Sequence, residues 1–368
     1  MKKNLLAISL IILAGCGTTQ QTTVDHNTLF RPKNIVLLIG DGMGLTQISA
    51  GLYANNNRLN IERFPVIGLH KAYSANDLIT DSAAGATAFA CGKKTYNGAI
   101  GVNTDTLPIP NILEQAELHG MATGLIATST IVHATPAAFI AHNKLRQNYE
   151  DIATDFLKTD IDYFVGGGEQ FFNKRKLDSR DLIQELKAKG YTVSDYHKND
   201  LDKIVLNKNM KFGFFTADED PPTAGQGRDY LPLASDKGVR YLQRRSDVGY
   251  FMMIEGSQID WGGHANNTQY IINEMLDFDQ AIGRVLDLAE KDGQTLVIVT
   301  ADHECGGFSI NYGSKMGKIE GKFTTDGHTG DLVPVFAYGP GAELFSGIYE
   351  NTAIYDKMVQ LLGLNVSN

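Results

Sequence analysis

Three apolar runs of the chain end in acids: Ile35 to Ile39 leads into Gly40-Asp41, Tyr250 to Ile254 into Glu255, and Leu296 to Thr300 into Ala301-Asp302-His303. Read as buried strands, they deliver carboxylates to the carboxyl ends of a sheet, where open α/β sheets bind ligands. Acids collected there point to a cation. The second run continues as Glu255-Gly256-Ser257-Gln258-Ile259-Asp260-Trp261-Gly262-Gly263-His264. Its glycines make a poor helix, so the segment reads as a loop that bends to bring carboxylates and an imidazole together. Such oxygen and nitrogen donors suit zinc, although a solvated acidic loop has the same composition. Asp302-His303 follows its strand directly, where a buried charge is costly without a counter-ion. Gly327-His328-Thr329-Gly330 adds a histidine that by itself could equally be a loop residue. His133-Ala134-Thr135-Pro136 follows the run Ala122 to Ala127, with Arg146 a little beyond.

One serine belongs with these groups. Asp81-Ser82-Ala83-Ala84-Gly85-Ala86-Thr87-Ala88 starts abruptly after a turn, which places Ser82 at or near a helix N-terminus. It is either a plain capping serine or a nucleophile, because free backbone N–H groups and the helix dipole there favour an anion such as phosphate.

Elements must position these residues. Strand-like runs at Ile35 to Ile39, Ala122 to Ala127, Tyr250 to Ile254, Leu296 to Thr300 and Val333 to Ala337 alternate with amphipathic stretches near Asn111 to His119, Asp181 to Lys189, Ala234 to Arg244 and Gln269 to Lys291. That rhythm is the mark of an α/β protein with a mostly parallel sheet covered on both faces. Residues from Asp160 to Gln226 break the pattern and read as an insertion or lid. Within them Gly166 to Gly168 lacks the Gly-Lys-Ser/Thr ending of a phosphate-binding P-loop and reads as a tight turn after Tyr163 to Val165.

A chain of 368 residues, 43% of them hydrophobic, has enough apolar surface for a large core. Its net charge of -9 argues against nucleic-acid binding, which depends on clustered Lys and Arg. Lys2 and Lys3 precede an apolar stretch from Leu5 to Leu13 that is too short to span a membrane and reads as an export signal. Leu13-Ala14-Gly15-Cys16 is similar to a bacterial lipobox, which would end a signal over residues 1–16 and lipidate Cys16. Residues 17–30 form a polar tether and 31–368 a single catalytic domain. The expected location is the periplasm or cell envelope, on a lipid anchor or in a released form. With Cys16 assigned to the anchor, Cys91 and Cys305 allow one disulfide at most, and Cys305 reads as a packed thiol more than a ligand.

Taken together, the motifs resemble the alkaline phosphatase family from about Lys33 to the C-terminus. The matching strings are Gly40-Asp41-Gly42-Met43-Gly44, Thr80-Asp81-Ser82-Ala83-Ala84, Ala134-Thr135-Pro136-Ala137-Ala138, Glu255-Gly256-Ser257 with Asp260 and His264, Thr300-Ala301-Asp302-His303, and His328-Thr329-Gly330. The resemblance implies a three-layer α/β/α sandwich, a homodimer, and hydrolysis of small phosphate monoesters through a phosphoserine on Ser82. It implies two Zn2+ and one Mg2+: Asp260, His264 and His328 for one zinc, Asp41, Ser82, Asp302 and His303 for the other. Asp41, Thr135 and Glu255 would hold the magnesium, with His133 beside them, and Arg146 would clamp phosphate.

Two positions depart from the enterobacterial pattern: His133 replaces an aspartate and Trp261 a lysine. Nitrogen near the third metal should weaken magnesium preference, and Trp261, placed against the substrate, should loosen product phosphate. The alternatives are a phosphodiesterase of the same superfamily, disfavoured by Asp81-Ser82 and Arg146, and a non-catalytic lipoprotein that captures zinc or phosphate. The Cys-x-Pro-x-Arg of sulfatases is missing from the sequence. His26, His70, His119, His142 and His197 match no motif and read as structural or surface residues.

Overall fold

The computed structural model describes residues 31–364. The expected signal, lipobox and tether lie outside them. In chain order the strands are β1 Asn34–Gly40, β2 Val66–Lys71, β3 Ala122–Thr130, β4 Tyr163–Gly167, β5 Tyr191–Asp195, β6 Lys211–Phe215, β7 Tyr250–Gly256, β8 Thr295–Thr300, β9 Glu304–Cys305, β10 Ser309–Ile310, β11 Gly321–Lys322, β12 His328–Thr329, β13 Val333–Tyr338 and β14 Gly347–Glu350. Ten of them form one sheet in the order β14-β2-β13-β8-β1-β7-β3-β4-β6-β5.

Every neighbouring pair from β8 to β5 is parallel. Such strands are buried on both faces, which explains why they read as unbroken apolar runs. Along β1 the side chains of Ile35, Leu37 and Ile39 enter one core and those of Val36 and Leu38 the other. Phe89, Leu113 and Met358, from the helices Ser82–Cys91, Ile112–Leu118 and Thr352–Leu362, fill the first core. Leu242, Met275 and Phe278, from Tyr230–Arg245 and Thr268–Asp292, fill the second. The result is the three-layer α/β/α sandwich.

Three expectations change. β13, expected among the parallel strands, runs antiparallel to both β8 and β2. After β8 the chain stays at the carboxyl-end rim through β12 and enters β13 directly, so β13 can only run back down; a parallel entry needs a crossover. Residues 160–226 are mostly not a lid: β4, β5 and β6 extend the sheet beyond β3. Their last part braces the rim, where Asp220 accepts a hydrogen bond from the Thr130 N–H at 2.7 Å. The glycine-bearing segment after β7 is a helix, Gln258–His264, and not a loop. Gly262 and Gly263 serve close packing there: a Cβ on Gly262 would lie 2.8 Å from the Ile271 backbone nitrogen.

Candidate active site

β1 lies between β7 and β8, so the acids that follow these three strands come out side by side. The turn after β1 holds Gly42 at φ +71, and a Cβ there would fall 2.7 Å from the Asp260 Cα. Only a glycine brings this turn against the helix Gln258–His264. Asp41 and Asp260 thereby share one space. The Gly42 N–H also donates to Asp302 Oδ1 at 3.2 Å, which ties the third acid to the same turn.

Ser82 begins the helix Ser82–Cys91, but Asp81 is its cap and accepts from the Ala84 N–H at 3.0 Å. The capping alternative for the serine is thus answered by its neighbour. Ser82 Oγ stands 3.5 Å from Asp41 Oδ1 and 3.4 Å from His303 Nε2. Asp81 Oδ2 accepts from Arg146 Nη1 at 3.0 Å and from the Gly98 N–H at 3.0 Å, so one carboxylate fixes both the serine helix and the arginine.

Among the described residues, ligand atoms gather in three groups, each with its members within 4.8 Å of one another: Asp260, His264, His328 and Cys305; Asp41, Asp260 and His303; Asp41, His133 and Glu255. Asp302 Oδ2 joins the second at 3.2 Å from His303 Nε2. Thr135 is buried beside Glu255 of the third. Trp261 lies at the edge, its ring 6.0 Å from that of His133. All the residues expected to act together are therefore within one site. Cys305 is buried, as a packed thiol should be, yet its sulfur also faces the first group.

The donors fit divalent cations. Asp41 Oδ2, Glu255 Oε1, Asp260 Oδ1, Asp302 Oδ2, His133 Nδ1, His303 Nδ1 and Thr135 Oγ1 are buried without a hydrogen-bond partner, a concentration of unmet polar atoms that folded proteins avoid. Burial and the facing Asp302, Asp260 and Glu255 raise Asp41 well above the usual carboxylate range. Burial likewise pushes Glu255 up to about 8, and burial with Asp260 pushes Asp302 up to about 6. Asp260 goes the other way: its burial is outweighed by the His264 and His328 imidazoles, 3.2 and 3.4 Å away, which hold it well below that range. The Asp260 bond raises His264 to about 9, whereas burial lowers His133 to about 3, helped by Arg146. Acids so crowded ionise together only around positive charge.

Neighbours to which the sequence assigned no role orient these groups. His264 Nδ1 bonds the Asp326 carbonyl at 2.5 Å and His328 Nδ1 the Thr80 carbonyl at 2.8 Å, which turns both Nε2 atoms toward Asp260. The Ser257 hydroxyl donates to Glu255 at 2.6 Å and accepts from the Thr128 N–H at 3.1 Å, joining β7 to β3. Glu304 accepts from Gln47 Nε2 at 2.6 Å, from two backbone N–H groups and from the Thr329 hydroxyl, locking the residue beside His328. Asp81, which holds both Arg146 and the serine helix, did carry a signal in the sequence, its place one residue before a helix start.

The family model for alkaline phosphatase matches residues 32–322 and 318–364. Alkaline phosphatase 3 of Bacillus subtilis is 34% identical over 422 residues, covering 91% of this chain and 90% of that protein. The alkaline phosphatase of Escherichia coli is 32% identical over 433 residues, covering 95% and 91%. The solved structure of alkaline phosphatase from the Antarctic bacterium TAB5 is similar at a TM-score of 0.86 and 47% identity, over 92% of this chain and 100% of that one. The chain therefore belongs to the alkaline phosphatase family and is a metal-dependent phosphomonoesterase.

Proposed function

We propose that the enzyme transfers the phosphoryl group of a monoester to Ser82 and then to water, at a site that binds two zinc ions and one magnesium ion. The observation that carries this is Ser82 Oγ at 3.5 Å from Asp41 and 3.4 Å from His303, at the start of a helix whose cap also holds Arg146. Asp260, His264 and His328 would hold one zinc; Asp41, Asp302, His303 and the Ser82 oxygen the other; Asp41, Glu255 and Thr135 the magnesium, with His133 adjoining. Bound there, the dications neutralise charge on the attacking and departing oxygens and acidify a coordinated hydroxyl or water.

Ser82 Oγ gives up its proton to solvent and attacks phosphorus as the ester P–O bond breaks, and the alcohol departs with a proton from solvent. The Arg146 fork and the Ser82 and Ala83 N–H groups, which have no partner within the helix, donate to the non-bridging oxygens. Water then attacks the phosphoserine, the bond to Ser82 Oγ breaks, and the serine regains its proton as phosphate leaves. Positioning and charge neutralisation supply most of such catalysis. His133 adds nitrogen where oxygen suits magnesium, and two variants of the TAB5 enzyme with a histidine replaced by aspartate or glutamate hold magnesium in the site called M3. A homodimer, and anchoring in the cell envelope through Cys16, complete the proposal, supported by the resemblance and by the sequence of residues 1–16.

Purified enzyme should hydrolyse an aryl phosphate monoester much faster than the diester, lose this activity to a chelator, and regain it with zinc and magnesium together. Activity that survives full chelation, or a faster diester rate, contradicts the proposal.

A further inference from the structure

The thiol of Cys305 takes no part in the chemistry above, yet it stands within the cluster. Its Sγ lies within 4.8 Å of the ligand atoms of Asp260, His264 and His328. β9 pairs antiparallel with β12, and Cys305 is the direct partner of His328. Directly opposed residues of an antiparallel pair project to one face, so sulfur and imidazole leave this ribbon side by side. Across from them a Cβ on Gly263 would fall 2.9 Å from Sγ, so the helix that carries Asp260 and His264 rests on the thiol. A separate observation marks the space as a ligand's: Asp260 Oδ1, in a residue 4% exposed, has no partner at hydrogen-bond geometry, with His328 Nε2 3.4 Å away across the same space.

We propose that Cys305 joins Asp260, His264 and His328 as a fourth donor to a thiophilic dication of the cadmium class, and that such an ion closes the site. The inference rests on the reading of the other three as metal ligands. Three protein donors leave a coordination position free for substrate, as catalytic zinc sites do, whereas four make the closed set of structural sites. Zinc needs only the three here. Cadmium is softer and gains from sulfur, while magnesium and manganese prefer oxygen and gain nothing. As the cadmium–sulfur bond forms, the thiol proton passes to solvent and zinc leaves as the hydrated ion. No electron is transferred.

The test is a titration of the zinc- and magnesium-loaded enzyme with cadmium, followed by the ultraviolet sulfur-to-cadmium charge-transfer absorption and by cadmium NMR. The band should saturate with one cadmium per chain, accompany release of one zinc, disappear in Cys305→Ser and persist in Cys91→Ser. Cys305→Ser should also bind cadmium at least about tenfold less tightly, near 1.4 kcal/mol. Zinc displacement without the band, or a band that survives Cys305→Ser, overturns the proposal. Should that variant fail to fold, the NMR shift of the unaltered enzyme decides, because a sulfur ligand moves it far from the range of oxygen and nitrogen ligands alone. His328→Ala separates the two readings: undiminished zinc content there means that the ligand assignment itself has failed, whatever the sulfur signal shows.

Discussion

Replacing Asp81 with asparagine tests whether the serine helix and the arginine are positioned by one group. Asp81 Oδ1 caps the helix, and asparagine keeps that bond. Oδ2 receives both Arg146 Nη1 and the Gly98 N–H at 3.0 Å, and an amide nitrogen in its place faces two donors. The Arg146 and Asp81 side chains are 18% and 20% exposed, so the lost contact is a charged hydrogen bond largely out of water. Such a bond contributes about 1.5–3 kcal/mol, and part of it should appear as lower thermal stability. The rest appears in binding. An arginine released from its anchor must be ordered again by phosphate, at about 0.5–1.5 kcal/mol for a long side chain, or roughly two- to tenfold in affinity. Arg146 would grip the non-bridging oxygens of substrate, transition state and product alike, so KM and the inhibition constant of inorganic phosphate should rise together while kcat does not fall with them. Initial rates on an aryl phosphate with added phosphate measure all three. An inhibition constant unchanged by Asp81→Asn, or a kcat that falls alone, refutes the reasoning.

Metal removal should expose the crowding of the acids. Glu255 moves up from 4.5 to about 8 and Asp302 from 3.8 to about 6, so the metal-free folded state holds protons that the unfolded chain has released. The stability these two groups contribute is fully present below about pH 4 and is lost as pH rises through about 6 and about 8, so thermal melts of chelated protein should show a loss between about pH 4 and about pH 8 that zinc and magnesium abolish; a flat profile there contradicts this. His133→Asp supplies a hard oxygen and should tighten magnesium on the order of tenfold, about 1.4 kcal/mol, as measured by activity and metal content across a magnesium series. Trp261→Lys adds a cation at the edge of the site and should strengthen phosphate inhibition about two- to fivefold, the ~0.5–1 kcal/mol of a partly exposed ion contact; unchanged inhibition contradicts it.

The sequence made the site legible where physics forces an unusual pattern. A buried parallel strand has no polar alternation to hide an acid in, so Asp41, Glu255 and Asp302 stood out at the ends of apolar runs. Ser82 was legible from its place at a helix start. What escaped depends on long-range contacts. The backbone carbonyls of Asp326 and Thr80 that orient His264 and His328 carry no side-chain signature. β13 resembles its parallel neighbours in composition, and only the path of the chain along the rim sets its direction. β5 is the sheet's edge strand and exposes Thr192, so its five-residue run is broken by polar residues, and β6 beside it is equally short. The helix Gln258–His264 was misread because its glycines answer to tight packing against Ile271 and Cys305, a tertiary demand that overrides local propensity.

Mapping the phosphorylated residue in acid-quenched, metal-loaded enzyme after a brief exposure to substrate asks the central question directly. Phosphate on Ser82, and none trapped in Ser82→Ala, is the expected result. Phosphate on another residue, or rapid turnover by Ser82→Ala, would contradict the account.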